Sequence, residues 1–365
     1  MDQNSITPKY YRLKEYLKEQ MKRGAIAPGN QLPSENMLAD QFKISRHTVR
    51  KALDDLEHEG LIYREQGRGT FCAYPAAAKG QTVAVVTTYI SEYIFPAVIR
   101  GIEEVLSAAG CLLLLASTGN AKSKEATCLE NLLQQKIAGL IIEPTQSARE
   151  NENLAYYREL ENRGIPYLML HAYYPELDPA YIIQDDEKGG YLVTQHLIRL
   201  GHRRIAGLFK ADDLQGVKRR AGYLKALQEH GIEPVPALIG AYETEELYSY
   251  PDQFARKILK ETPPPTAMVC YNDQVALFVL EALREKGVKV PEEFSLISFD
   301  DSSLAVASEV KLSGIKHPKV TMGRQAARLI LDMIKDKTYK PRFVFQPELI
   351  LRASCGKNHG LKRRK

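Results

Sequence analysis

Five residues that can donate hydrogen bonds stand close together between positions 45 and 50. Arg46 and Arg50 carry planar guanidinium groups that match O6 and N7 of guanine in a DNA major groove. Ser45 and Thr48 can donate to phosphate oxygens, and His47 lies on the same polar side of the segment. The pattern fits a helix that reads DNA and equally fits a solvated, charged surface helix, so these residues alone leave both open.

A second group of polar and aromatic residues follows predicted strands in the rest of the chain. Carboxylates and amides bond vicinal hydroxyls, aromatic rings cover the apolar face of a sugar, and strand ends converge at clefts. The set predicts a small-molecule site that suits a sugar, although Asp and Asn at strand ends also cap helices and His171 also fits a buried structural histidine. The candidate effector residues on strand ends are Tyr93, Phe95, Glu143, His171, Tyr173, Asp185, Asn272 and Asp300.

Three helical segments and a hairpin are predicted to position the donors of residues 45–50. Apolar residues recur at helical spacing, and Ser34 and Ser45 are good N-caps. The short connection Lys43-Ile44 is typical of a helix-turn-helix. The predicted elements are helices over 10–21, 35–42 and 46–59 and strands over 61–65 and 70–73.

The hairpin tip, Gln66-Gly67-Arg68-Gly69, favours the DNA-reading alternative. Glycine lets a backbone approach another surface closely, and an arginine between two glycines is placed to enter a narrow minor groove. A helix-turn-helix followed directly by such a wing is more specific than either element alone. We therefore predict a winged helix-turn-helix that binds double-stranded DNA.

Four motifs stand in order along residues 8–74: Leu32-Pro33-Ser34-Glu35, Ser45 to Leu53, Glu59-Gly60-Leu61-Ile62 and Gln66 to Phe71. Together they resemble the winged-helix domain of the GntR family of bacterial regulators. The resemblance implies contacts to bases and phosphates, with Lys9 as an added phosphate contact. The residues implied are Ser34, Glu35, Ser45, Arg46, His47, Thr48, Arg50, Gln66, Gly67, Arg68 and Gly69.

Short apolar runs alternate with amphipathic helical patterns from Thr82 to Phe299, among them predicted strands over 139–142 and 267–270 and a predicted helix over 129–136. This alternation is typical of βαβ units with a largely parallel sheet. About 285 residues follow position 80, more than one sheet usually organises, so we predict two lobes that face each other across a cleft. The predicted fold class is α/β, with an N-terminal winged helix-turn-helix (α+β) in front of the two-lobed domain.

Six stretches of the second region carry a further resemblance: 95–102, 185–190, 196–206, 219–223, 270–276 and 297–301. They resemble the effector domain of LacI/GalR regulators over about residues 80–352. The resemblance implies a periplasmic-binding-protein-like fold, a homodimer and effector contacts from Asp185, Arg219, Asn272 and Asp300. Because Lys218 and Arg220 flank Arg219, a solvated helix face stays open for that arginine.

The chain departs from LacI/GalR regulators at its N-terminus. Those regulators carry their own helix-turn-helix and a hinge helix, whereas this chain has a GntR-type domain and a short Ala-rich linker. The joint architecture resembles repressors that respond to a sugar, and it implies L-arabinose as effector and a near-palindromic operator bound by the dimer. The residues themselves leave another sugar, a nucleoside or a purine open.

Composition and segment boundaries complete the predictions. The domains are placed at 1–74 for the DNA-binding unit, 75–80 for the linker, 81–352 for the effector unit and 353–365 for a basic tail. No secretory or membrane-spanning pattern is present, so a cytoplasmic protein is expected. Five cysteines without a C-x-x-C pair predict neither disulfides nor a metal site. No catalytic elbow or glycine-rich phosphate loop follows a strand, so neither enzymatic activity nor a cofactor is expected.

Overall fold

A computed structural model describes residues 8–65, 68–73 and 80–358. The predicted wing-tip contacts Gln66 and Gly67 lie outside the described residues, as do linker residues 75–79 and tail residues 359–365.

The N-terminal domain is three helices and a two-stranded antiparallel hairpin, which confirms the predicted winged helix-turn-helix. The side chains of Ser34 and Ser45 accept hydrogen bonds from Met37 N and Thr48 N, so both predicted N-caps start their helices. Leu13, from the first helix, is fully buried in the core that joins all five elements. Their bounds are α1 Lys9–Lys22, α2 Glu35–Phe42, α3 Arg46–His58, β1 Ile62–Glu65 and β2 Gly69–Cys72.

From residue 82 onward, strands and helices alternate as predicted. In chain order they are β3 Thr82–Thr87, α4 Phe95–Ala108, β4 Leu112–Ser117, α5 Lys122–Leu133, β5 Gly139–Ile142, α6 Leu154–Asn162, β6 Tyr167–Leu170, β7 Ala180–Gln184, α7 Asp186–Arg199, β8 Ile205–Lys210, α8 Leu214–Glu229, β9 Ile239–Tyr242, α9 Tyr250–Ile258, β10 Ala267–Cys270, α10 Asp273–Glu285, β11 Ser295–Asp300, α11 Ser303–Ala307, β12 Ser313–Lys316, α12 Lys319–Lys335, β13 Arg342–Phe345 and β14 Glu348–Ile350.

The strands form two six-stranded sheets, one for each lobe. The order in lobe 1 is β13-β7-β6-β5-β3-β4, and the order in lobe 2 is β14-β12-β11-β10-β8-β9. Within the described residues, β12 and β14 form an antiparallel pair and the other neighbours in both sheets run parallel. Helices cover both faces of each sheet, as buried parallel sheets require.

The chain crosses between the lobes three times, after β7, after β12 and between β13 and β14. The crossings lie side by side: Gln184 Nε2 donates to Lys316 O at 2.9 Å, and Asp185 N donates to Phe345 O at 2.9 Å. These segments form the hinge of a two-lobed domain. The strands next to it are β7 and β13 in lobe 1 and β12 and β14 in lobe 2, so β4 and β9 mark the far edges of the two sheets.

Two glycines let α7 and α8 approach closely. A Cβ atom at Gly190 would collide with the backbone oxygen of Arg219, and one at Gly222 would collide with the backbone oxygen of Glu187. Only a residue without a side chain fits such contacts. The close approach brings Arg219 of α8 against Asp186 at the start of α7.

The predicted start of the basic tail at residue 353 is corrected by the structure. Ser354 is fully buried, its backbone oxygen accepts from Leu296 N at 2.8 Å, and its hydroxyl accepts from Ser313 N at 2.8 Å. Asn358 N donates to Leu200 O at 2.9 Å. Residues 353–358 therefore complete lobe 2, through backbone pairing that local composition does not reveal.

Candidate DNA-binding surface and effector cleft

Helix α3 presents the predicted DNA contacts on its outer face. Ser45, Arg46, His47 and Arg50 are exposed, whereas Val49 on the opposite side is fully buried. A recognition helix needs this division, because one face must hold the domain together while the other enters the groove.

Glu35 links α2 to the arginines of α3. Its carboxylate accepts from Arg50 Nε at 2.9 Å and lies 3.9 Å from a terminal nitrogen of Arg46. Both arginine side chains remain about three-fifths exposed, so such a pair adds little stability. Glu35 thus places a carboxylate beside both guanidinium groups on the outer face of α3.

The described part of the wing is tied to the body of the domain. Gln31 Nε2 donates to Arg68 O at 2.7 Å, and the Arg68 guanidinium lies 5.8 Å from the ring of Phe71. Gly69 has a φ of +116°, a conformation that glycine adopts without strain. At the start of α1, Lys9 is exposed and adjoins Tyr10, whose ring lies 4.4 Å from Lys51 Nζ of α3. Lys9 and Arg68 thus reach solvent from elements packed on α3.

A cavity of about 350 Å³ lies between the two lobes, at the carboxyl ends of their strands. Such a volume suits a small organic ligand. Six of the nine predicted effector residues line it, which are Tyr93, Phe95, Glu143 and His171 from lobe 1 and Asn272 and Asp300 from lobe 2.

The wall from lobe 1 is built on a hydrogen-bonded carboxylate. Glu143 accepts from Thr88 N at 2.8 Å and from the Thr88 hydroxyl at 2.5 Å, and its other oxygen lies 2.8 Å from His171 Nδ1. Burial alone would raise the pKa of Glu143, but the bonds from His171 and Thr88 hold that pKa below its ordinary value. Glu143 is therefore charged at neutral pH and orients the histidine.

Two buried imidazoles meet behind this wall. The rings of His171 and His317 are 4.9 Å apart, and in the described structure neither His171 Nε2 nor either ring nitrogen of His317 has a hydrogen-bond partner. Burial and the neighbouring His171 hold the pKa of His317 well below its ordinary value. The His317 ring therefore contributes as a neutral acceptor or donor rather than as a fixed charge.

The wall from lobe 2 is organised by Arg219, which is only 1% exposed. Its guanidinium donates to Asp186 at 2.7 Å, to Tyr271 O at 2.7 Å and to Asp300 at 3.4 Å, between the rings of Tyr271 and Phe299. Burial alone would lower the pKa of Arg219, but the two carboxylates hold it above its ordinary value. Burial raises the pKa of Asp186 to about 6, still below neutral pH. The alternative of a solvated face is thus excluded for Arg219, which supports Asp300 from behind.

Tyr93 bridges the two lobes. Its hydroxyl donates to Asp300 at 2.8 Å and accepts from Asp273 N at 3.2 Å. Burial raises the pKa of Asp273 to about 6. The bridge places an aromatic ring of lobe 1 directly against the acidic end of β11.

Backbone strain concentrates around the cavity. Among the described residues other than glycine, Tyr93, Asn120, His171 and Asp300 line the cavity with φ values between +56° and +92°. Left-handed conformations of this kind cost of order 1 to 3 kcal/mol each and persist where the surrounding structure enforces them. Four of the eight described non-glycine residues with positive φ thus line this cavity, and strained backbone of this kind is typical of ligand sites.

The remaining candidates occupy other places. Tyr173 and Asp185 line a smaller adjoining cavity of about 180 Å³, where the Tyr173 ring stacks on Tyr181 and Asp185 caps α7 through Lys188 N. Asn272 combines both expected roles, since it lines the cleft and its side chain caps α10.

Other cleft residues were not among the candidates. Asn120 follows β4, so an argument from strand ends applies to it as well. Tyr271, Asp213 and Thr244 likewise follow β10, β8 and β9 within three residues. The unpredicted lining includes Asn120, Ser147, Asp213, Thr244, Tyr248 and Tyr271.

No helix in the described ranges combines the length and the apolar character that crossing a bilayer requires.

Residues 9–72 match the family of bacterial regulatory proteins, gntR family, and residues 194–355 match a periplasmic binding protein-like domain.

Three known proteins are similar to this chain along most of its length. It is 46% identical over 354 residues to an arabinose metabolism transcriptional repressor of Geobacillus stearothermophilus, across 95% of this chain and 97% of that one. A repressor of the same description from Halalkalibacterium halodurans is 46% identical over 360 residues, across 95% and 96% of the two chains. The structure of the transcriptional regulator CelR with cellobiose covers 88% of this chain and 100% of its own at 25% identity, with a TM-score of 0.68.

The winged helix-turn-helix, the cleft between the two lobes and the similarity to known repressors along nearly the whole chain all indicate the same kind of protein. The chain belongs to the family of arabinose metabolism transcriptional repressors and is a DNA-binding transcriptional repressor.

Proposed function

We propose that this repressor leaves its operator when L-arabinose binds the cleft between the lobes and thereby controls genes of arabinose utilisation. The cleft carries the proposal, because both of its walls present carboxylates and aromatic rings inside about 350 Å³. The two relatives described as repressors of arabinose metabolism support the choice of sugar. The protein would act in the cytoplasm, where its operator lies.

The lining suits a polyhydroxylated ligand. Glu143 and Asp300 supply carboxylates, Asn272 supplies an amide and His171 supplies a ring nitrogen, while Phe95 offers an aromatic face. Hydrogen bonds between a hydroxyl and a charged group are stronger than those between neutral groups. We assign direct sugar contacts to these residues and to Tyr93, and a supporting role to Arg219 behind Asp300.

Sugar and DNA are coupled through the equilibrium between lobe arrangements. A ligand releases DNA only as far as it prefers the arrangement that binds DNA poorly, and operator DNA must weaken sugar binding by the same factor. The DNA-binding unit of residues 1–74 and the effector unit of residues 81–358 are the two parts that this equilibrium connects.

The first prediction concerns Asp300 in this cleft. Asp300→Asn is expected to weaken L-arabinose binding by roughly 1.5 to 3 kcal/mol, or about tenfold to over a hundredfold. The reason is that a sugar hydroxyl loses the charged carboxylate to which it donates. Calorimetric titration measures the affinity, and fluorescence anisotropy of labelled operator measures release. Operator affinity without sugar is expected to stay at the wild-type value.

Asp252→Asn, a half-exposed position on α9 in the same lobe, is the matched control. Normal sugar-driven release in Asp300→Asn would remove Asp300 from the site. If wild type binds no L-arabinose at millimolar concentration but does bind another pentose, a hexose or a nucleoside, the proposed ligand is wrong.

The second prediction concerns assembly. We propose a homodimer that binds a near-palindromic operator. Each chain carries one DNA-binding domain, and the two-fold symmetry of a dimer is matched by two-fold symmetry in its DNA site. Strand β4 supports a dimer, because Leu112 is 66% exposed and Leu114 38% exposed on this sheet edge. Footprinting at saturating protein should protect two symmetric half-sites. Protection of a single asymmetric half-site, with a monomeric mass in sedimentation, would contradict it.

A further inference from the structure

A cluster of contacts joins the two lobes on the side of the cleft away from the hinge. Its members follow β4 and β5 in lobe 1 and β8 and β9 in lobe 2, whereas the hinge lies beside β7, β13, β12 and β14. We call this cluster the far-edge clasp. It comprises Asn120 and residues 147–149 of lobe 1 with residues 212–214 and 243–244 of lobe 2.

Side chains form the centre of the clasp. Asn120 Nδ2 donates to the Thr244 hydroxyl at 2.6 Å across the cleft. The same hydroxyl donates to Asp212 at 2.5 Å, and Thr244 N donates to Asp212 at 3.1 Å. Asn120 is 4% exposed and Asp212 is 1% exposed, so water competes poorly for these bonds.

One loop of lobe 1 supplies the rest of the clasp. Ser147 Oγ accepts from Leu214 N at 2.9 Å, and Ala148 N donates to Asp212 O at 3.2 Å. The Arg149 guanidinium forms an ion pair with Glu243. Three successive residues of this loop therefore hold lobe 2.

The loop that carries residues 147–149 rests on Glu125, a fully buried carboxylate of α5. Glu125 accepts from Thr145 N at 3.3 Å, and the Tyr174 hydroxyl lies 2.9 Å from Glu125 and 2.7 Å from Thr145 O. The Tyr157 hydroxyl donates to the same Glu125 oxygen at 2.8 Å, and Asn153 Nδ2 donates to the other carboxylate oxygen at 2.7 Å. Glu125 does not line the cleft, so it acts on the ligand site through the residues that it holds.

The position of the clasp determines what it does. When two lobes rotate about a hinge, the groups farthest from the hinge separate most, so the bonds of the clasp exist in the closed arrangement and break on opening. The apparent dissociation constant of a ligand that needs the closed arrangement is the intrinsic constant divided by the fraction of molecules that are closed. Contacts specific to that arrangement therefore set ligand sensitivity without touching the ligand.

We propose that Glu125 is a positioning residue which holds the loop of residues 145–149 so that the far-edge clasp can close, and that the clasp sets the sugar concentration at which the repressor leaves DNA. This inference rests on the proposed function and identifies the arrangement that L-arabinose favours, the one that binds DNA poorly, with the closed one.

The test begins with Glu125→Gln, which keeps the size of the side chain but puts an amide donor where every neighbour donates. L-arabinose affinity in calorimetry is expected to fall by about threefold to tenfold, the equivalent of one neutral hydrogen bond. The midpoint of sugar-driven operator release should shift by the same factor. Operator affinity without sugar should stay within about twofold of wild type, because a weaker clasp lowers only the closed fraction, which is the minor one when no sugar is bound.

A double-mutant cycle separates positioning from a general loss of stability. Arg149→Ala breaks the clasp at a residue outside the cleft lining, and the matched control is Arg342→Ala, which removes a similarly exposed arginine from an ion pair with Asp178 inside lobe 1. If Glu125 acts through the clasp, Glu125→Gln weakens sugar binding less in the Arg149→Ala background than in wild type. Arg342→Ala should leave sugar affinity unchanged.

The outcomes are distinct. Additive effects of Glu125→Gln and Arg149→Ala, or wild-type sugar affinity in Arg149→Ala, overturn the inference while the proposed function stands. Wild type that binds no L-arabinose overturns the proposed function and this inference with it. Should Glu125→Gln fail to fold, Tyr174→Phe takes its place in the cycle, because it removes the hydroxyl that joins Glu125 to Thr145 O from a position outside the cleft lining.

Discussion

Replacing Arg219 with alanine is expected to lower the free energy of unfolding of the effector domain by about 3 to 5 kcal/mol. The substitution leaves the carboxylates of Asp186 and Asp300 buried without their cation and leaves Tyr271 O without its donor. It also opens a void between the rings of Tyr271 and Phe299. Since the chain has no tryptophan, urea unfolding followed by far-ultraviolet circular dichroism is the suitable measurement.

Arg220→Ala is the matched control, because the next residue on α8 is exposed and its removal should change stability by no more than about 0.5 kcal/mol. Equal stabilities of the two variants would show that the buried pair contributes little. If Arg219→Ala is strongly destabilised, a loss of sugar response in this variant reflects unfolding of lobe 2 and not the loss of a contact to the sugar. Asp300→Asn is therefore the sharper probe of the ligand.

The second large effect is expected on the operator. Arg46→Ala and Arg50→Ala should each cost about 1 to 3 kcal/mol of operator affinity and relax base preference, because bidentate contacts to guanine specify sequence. The two effects should not simply add, since Glu35 contacts both guanidinium groups. Anisotropy titrations against the operator and a set of single-base variants measure affinity and preference together.

Lys9→Ala provides the contrasting control for the recognition helix. As a phosphate contact, Lys9 should affect all DNA sequences alike. Its loss should reduce the slope of the logarithm of affinity against the logarithm of salt concentration by roughly one. If both arginine variants keep the base preference of wild type, α3 is not the element that reads sequence.

The strands were predictable because buried parallel strands are short, continuous apolar runs. Gly139–Ile142 and Ala267–Cys270 have the bounds expected from the sequence. Helix α5 begins at Lys122, seven residues before the predicted Leu129, because its first turn is polar and carries Glu125 into a buried hydrogen-bonded cluster. Apolar periodicity does not detect a helix turn whose buried residue is a carboxylate.

The site was predictable as far as strand ends determine it. Glu143 and His171 follow their strands directly, Asp300 ends its strand, and all three reach the cleft. Arg219 could be proposed only by resemblance, because its partners Asp186 and Asp300 are 33 and 81 residues away in sequence. The clasp was not predictable, since it depends on how two separate sheets face each other.

The three crossings also set the order in which the parts of this protein can be completed during synthesis. Lobe 1 takes its core from residues 82–184 and from α12, whose Gly323 contacts the backbone of Val98 on α4. The helix that finishes the first lobe is therefore translated only after nearly all of the second lobe. The DNA-binding unit is one continuous stretch, and domains made early fold as units on the ribosome. A chain whose synthesis ends before residue 319 would thus have a folded DNA-binding unit without a complete effector unit to control it.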